Sequence, residues 1–187
     1  MKKVILLLMV LALTAPAWAQ QKNSKKSTPT LSNQANVQNV QKENKDKERL
    51  PKVYDETISP WEQIEKALSE ANATGRKVIC QVGGNWCPWC LRFADFITKD
   101  EEIAHVIKDN YVYIHVNVPK KDRDLELMKR LGNPGRFGYP VFVILDEKGN
   151  VLHIQNSSYL EEGTSYDRKK VLEFFIAWTK KSIENIR

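Results

Sequence analysis

Residues 77–83 (KVICQVG) form a short, β-branched and mostly apolar run between two stretches of helical periodicity. A run of this length and composition predicts a buried strand, which must be covered by other elements of the chain. Before it, Ser59-Pro60-Trp61-Glu62 predicts a capping box with Pro at the first helical position. Trp61, Ile64, Ala67, Leu68 and Ala71 follow at helical spacing, and Gly75 stops the helix. After it, Leu91, Phe93, Ala94, Phe96 and Ile97 mark a second helix, and residues 101–109 a third. Residues 111–118 (YVYIHVNV) read as a strand and 122–131 as a helix ended by Gly132. Residues 133–140 read as a loop. Residues 141–146 and 151–155 form a hairpin turned at Lys148-Gly149-Asn150, and a last helix runs from about 167 to 185. The order α-β-α-α-β-α-β-β-α predicts an α/β domain. Its first strands are parallel, its closing hairpin adds an antiparallel edge, and the central mixed β-sheet is flanked by helices.

The rest of the chain is organised around that domain, expected over residues 54–187. Lys2 and Lys3, an apolar stretch over residues 4–14 and Ala17-Trp18-Ala19 have the three parts of a secretory signal peptide, cut after Ala19. Residues 4–19 contain Pro16 and are too short for a spanning helix, so no transmembrane segment is expected after cleavage. Export, to a periplasm or the medium, is the expected localisation. Residues 20–53 are rich in Gln, Asn, Lys and Ser and predict a disordered basic linker. The net charge of +6 belongs to these two segments, which carry +2 and +5, whereas residues 54–187 sum to −1. A nearly neutral folded part argues against nucleic acid as a partner. Three cysteines are too few for a disulfide-stapled scaffold.

Chemistry is concentrated at Cys87-Pro88-Trp89-Cys90, between the buried strand and the next helix. The first cysteine falls at a helix N-cap, where unpaired backbone N–H groups and the positive end of the helix dipole favour an anion. The thiolate is the form that attacks disulfides. Pro88 suits the first turn, which has no use for its missing N–H. Cys90 can reach back to close a disulfide, which makes Cys87 the attacking and Cys90 the resolving group. Half a zinc site and an inert structural disulfide are the alternatives. A second Cys-x-x-Cys is absent from the sequence, and His105, His115 and His153 are scattered along it. Cys80, on the strand, is expected to act as a small core side chain.

Trp-Cys-x-x-Cys after a strand (Trp86, Cys87, Cys90), Gly-Tyr-Pro before another (Gly138, Tyr139, Pro140), and the hairpin and helix that follow resemble the thioredoxin superfamily over roughly residues 60–185. The run Gly83-Gly84-Asn85-Trp86-Cys87 is similar to exported thioredoxin-like disulfide reductases and isomerases. The resemblance implies a thioredoxin-like fold and a thiol-disulfide oxidoreductase that reduces, forms or isomerises disulfides in exported proteins. It needs no metal or organic cofactor, because the cysteine pair is the redox centre. The implied partners are protein disulfides or dithiols and a second redox protein that recycles the pair. The resemblance also implies a cis bond at Pro140 and a backbone at Tyr139 that pairs with a substrate strand. Trp86, which has a family counterpart, is expected to pack beside Cys87, and Trp89 is expected either to add to the docking surface or to be a simple exposed aromatic. The pattern departs from the family at Gln81, where thioredoxins carry a buried Asp, and at His115, which aligns with a family lysine. His115 is the candidate substitute proton acceptor, on the ground that imidazole titrates near neutrality, and a strand histidine with a structural hydrogen bond is the favoured alternative. A binding module of the same fold with a structural disulfide is the rival reading.

Overall fold

The computed structural model describes residues 50–184, so the expected signal peptide and residues 20–49 of the expected linker lie outside the described residues. Helix α1 (Pro60–Thr74) leads into strand β1 (Lys77–Gly83). Next come α2 (Pro88–Lys99), α3 (Glu101–Asn110), β2 (Tyr111–Asn117) and the short α4 (Leu125–Arg130). A single 3-10 turn (Pro134–Phe137) precedes the hairpin of β3 (Val141–Leu145) and β4 (Val151–Asn156). Another turn (Ser157–Leu160) and a two-residue ribbon, β5 (Glu161–Glu162) with β6 (Ser165–Tyr166), lead to α5 (Arg168–Ala177) and α6 (Lys180–Glu184).

The sheet order is β2-β1-β3-β4, with β1 and β2 parallel and both β1–β3 and β3–β4 antiparallel. The sheet is mixed, as expected, but the antiparallel pairing starts at its centre rather than at the closing edge. Central β1 and β3 are buried on both faces and divide the core in two. Val78, Cys80, Val82, Val141, Val143 and Leu145 face α1 and α4. Ile79, Phe142 and Ile144 face α2, α3 and α5.

Local chemistry explains most element ends. Gly75 ends α1 at φ 69°, a conformation that costs glycine nothing sterically. Asp100, Asp124 and Asp167 each accept a hydrogen bond from the third residue of the helix they precede. The expected capping box at Ser59 is not made, because the Ser59 side chain caps no N–H and Pro60 sets the start instead. Trp61, next to it, donates its indole N–H to Asp124 Oδ2 at 2.7 Å and ties α1 to the cap of α4. The last helix is broken where continuity to 185 was expected. Trp178 caps α5 while its ring stacks on His153 at 4.5 Å, and Thr179 Oγ1 accepts from Ser182 N at 3.2 Å to start α6. A threonine hydroxyl that bonds local backbone competes with helix continuation in this way.

One helix bears directly on the site. The buried face of α2 is Cys90, Phe93, Ala94 and Ile97, at i, i+3, i+4 and i+7. Phe93 lies between Phe142 and Tyr166, at ring separations of 4.4 and 4.7 Å. The contacts that hold α2 to the sheet therefore also turn Cys90 inward and leave Cys87 at the mouth of the first turn.

Candidate active site

Cys87 is the N-cap of α2, and its sulfur accepts from Cys90 N at 3.2 Å. The two cysteines are disulfide-bonded, with Cα atoms 5.2 Å apart. Cys87 is 5% exposed and Cys90 is not exposed at all. Of the two, only Cys87 keeps any exposed surface. The Tyr139–Pro140 peptide is cis, and the Tyr139 carbonyl oxygen lies 3.5 Å from Cys87 Sγ. Cys87, Tyr139 and Pro140, expected from two separate motifs, are thus neighbours.

The rim is aromatic. Trp86 is 37% exposed and stands edge-on to Tyr139 at 5.5 Å, and its indole N–H donates to Val118 O at 2.8 Å. Trp89 stands edge-on to Tyr166 at 5.5 Å, with the Arg92 guanidinium 4.6 Å above its ring. Arg123 covers Tyr139 in the same way at 5.3 Å. Tyr166 donates its hydroxyl to Trp89 O at 3.0 Å, which fixes the central dipeptide of the motif from behind.

Behind the cysteines lies an uncharged polar network. Gln81, fully buried, donates from Nε2 to Tyr54 Oη at 2.7 Å and to Cys90 O at 2.9 Å, and its Oε1 accepts from Tyr113 Oη at 2.6 Å. A buried amide is tolerated because each of its groups is partnered. His115 is the register partner of Gln81 on β2. Its ring meets Tyr54 edge-on at 5.2 Å and Tyr113 at 5.5 Å, and its buried Nε2 has no hydrogen-bond partner among the described residues. Burial lowers the His115 pKa to about 4, so the expectation that this ring titrates near neutrality is not met. An imidazole with little water and no anion beside it holds a proton poorly. Cys80 is fully buried, and burial pushes its thiol up to about 12, consistent with an inert core side chain.

Three participants were missed in the sequence. In the sequence Tyr54 is marked only as the first residue of the expected domain, Asn85 only as part of a motif, and Tyr113 only as strand. The pair Val53-Tyr54, apolar between a polar tail and a helix start, was the one available signal.

A thioredoxin-like sheet with a disulfide at a helix N-cap beside a cis-proline defines the class. Residues 60–147 match the family model described as thioredoxin-like, and the domain they build belongs to the thioredoxin superfamily. The chain is 27% identical over 99 residues to the disulfide bond reductase DsbH of Chlamydia pneumoniae, a match covering 49% of this chain and 59% of that protein. It is also similar to a crystal structure of a disulphide isomerase from Xylella fastidiosa Temecula1. That match has 27% identity and a TM-score of 0.58, and covers 66% of this chain and 93% of the other.

Proposed function

We propose that the protein is an exported thiol-disulfide oxidoreductase acting on other proteins. The observation that carries this reading is the unequal burial of a bonded cysteine pair at the N-terminus of α2, with the outer sulfur against the Tyr139 carbonyl. The Cys87 thiolate attacks one sulfur of a substrate disulfide, forms a mixed disulfide and releases the other substrate sulfur as a thiolate. Cys90, as thiolate, then attacks Cys87 Sγ. The Cys87–Cys90 bond forms, the mixed disulfide breaks and the second substrate sulfur leaves. Two electrons pass to the substrate, and its thiolates take up two protons, those of the original thiols. Run backwards, the same steps oxidise a dithiol, and a second redox protein restores the starting state.

Trp86, Trp89, Tyr139 and Pro140 form the docking surface in this reading, with the Tyr139 backbone offering a hydrogen bond to an extended substrate strand. His115 fits poorly as the proton acceptor for Cys90, since burial lowers its pKa to about 4 and so makes its imidazole a weak base, and its Nε2 has no hydrogen-bond partner among the described residues. Among the described residues no helix is long and apolar enough to cross a membrane. The signal-like N-terminus supports export. Insulin-disulfide reduction with Cys87→Ser as control tests the reading. Activity lost in the variant supports it; no activity in either protein, with client binding retained, favours a binding module.

A further inference from the structure

The segment ahead of α1 is built into the redox site. Asn85, two residues before Cys87, clasps it. Its Oδ1 accepts from Val53 N and Tyr54 N, both at 3.1 Å, and its Nδ2 donates to Tyr54 O at 2.8 Å and Glu56 Oε1 at 2.9 Å. The clasp delivers the Tyr54 ring, 4% exposed, into a cluster with both cysteines.

The hydroxyl of Tyr54 accepts from Gln81 but donates to none of the groups in that network. Gly83 shows what it faces. A Cβ added there would stand 2.5 Å from Cys90 Sγ and 2.7 Å from Tyr54 Oη, so the phenol and the inner sulfur converge over the same bare Cα. Cys90 is wholly buried, and an anion on its sulfur is costly there unless a donor meets it. Gln81 cannot serve, because its amide hydrogens already go to Tyr54 Oη and Cys90 O.

We propose that Tyr54 donates its hydroxyl hydrogen to the Cys90 sulfur as that sulfur becomes a thiolate, and so sets the rate at which Cys90 resolves the mixed disulfide. This rests on the reading of Cys90 as the resolving group. No proton leaves Tyr54. The Cys90 proton passes to the substrate thiolate freed in the first step, and Tyr54 stabilises the charge left behind. The phenol keeps its proton because burial raises its pKa far above the usual value. The other titratable groups around it are Cys87 at the N-cap, Tyr113 and His115 on β2, Tyr166 on β6 and the exposed Glu56 of its own segment. The His115 ring is neutral at pH 7, so it supplies no rival charge.

The test is stopped-flow reaction of the reduced, full-length chain with dithiobis-nitrobenzoate. Attack by Cys87 releases one thionitrobenzoate, and resolution by Cys90 releases the second. In Tyr54→Phe the first phase should stay within about twofold while the second slows about tenfold or more, the effect of losing one hydrogen bond to a charged group. The pH midpoint of the second phase should rise by about one unit. Site-specific 3-fluorotyrosine at 54, a stronger donor of nearly the same shape, should speed the second phase, and it keeps the test open if Tyr54→Phe folds poorly. Equal slowing of both phases, or a second phase insensitive to both replacements, overturns the inference. A wild-type protein that releases no thionitrobenzoate refutes the oxidoreductase reading itself.

Discussion

Gly83→Ala is the sharpest single perturbation of the packing behind the cysteines. Without neighbours, Ala in place of Gly in a strand stabilises by roughly 0.4–1 kcal/mol, because the unfolded chain loses freedom. Here the new methyl would stand 2.5 Å from Cys90 Sγ and 2.7 Å from Tyr54 Oη, against about 3.5–4.0 Å for a comfortable contact. Both neighbours must yield by about 1 Å. Cys90 is held by α2, and Tyr54 by Asn85 and Gln81, so neither can swing aside. Overpacking of this kind costs about 1–3 kcal/mol. The net expectation is a loss of about 1–2 kcal/mol, opposite in sign to the isolated effect. Urea denaturation of the oxidised protein measures it, and the same substitution in a Tyr54→Ala background should recover part of the loss by vacating one of the two contacts. A Gly83→Ala protein as stable as wild type, or more so, would refute the claim that phenol and sulfur converge there.

Other perturbations have equally definite outcomes. His115 is depressed from an ordinary 6.5 to about 4 by burial, so the unfolded chain binds the extra proton first. The associated stability is complete above pH 6.5 and drains away as pH falls toward 4, by roughly 2 kcal/mol at pH 5. His115→Leu should flatten that part of the urea-midpoint profile, while His115→Ala should leave the pH profile of disulfide reduction unchanged. Asn85→Ala removes four hydrogen bonds to the segment before α1. It should cost about 1–3 kcal/mol and speed amide exchange at residues 53 and 54, with the exchange of β1 amides as internal control. Cys80 should resist iodoacetamide in the native protein and react only in denaturant, which peptide mass mapping would read directly.

The fold was legible because its elements obey simple periods. β1 is an apolar run bounded by glycine, and α2 shows its i, i+3, i+4, i+7 face in Cys90, Phe93, Ala94 and Ile97. Cys87, Tyr139 and Pro140 were each marked by a motif, although their meeting depends on a β1–β3 pairing that no local pattern contains. What stayed hidden was cooperative. The break at Trp178–Thr179 depends on a stacking partner 25 residues away, His153, and on a hydroxyl cap, while helical periodicity alone runs straight through. Tyr54 was invisible as a site residue because its place is set by Asn85, 31 residues further on. The weak basicity of His115 was hidden for a similar reason. Register put it beside Gln81, but its titration depends on the Tyr54 and Tyr113 rings that exclude water from it.

Disulfide exchange here depends on the ionisation of one sulfur, and pH-dependent alkylation of the reduced protein, with Cys90→Ser to isolate Cys87, measures it. Cys87 should ionise below the free-thiol value of about 8.5 and react readily at neutral pH, while Cys80 stays silent. A Cys87 that titrates at or above that value, and is no faster than a free thiol at neutral pH, would contradict it.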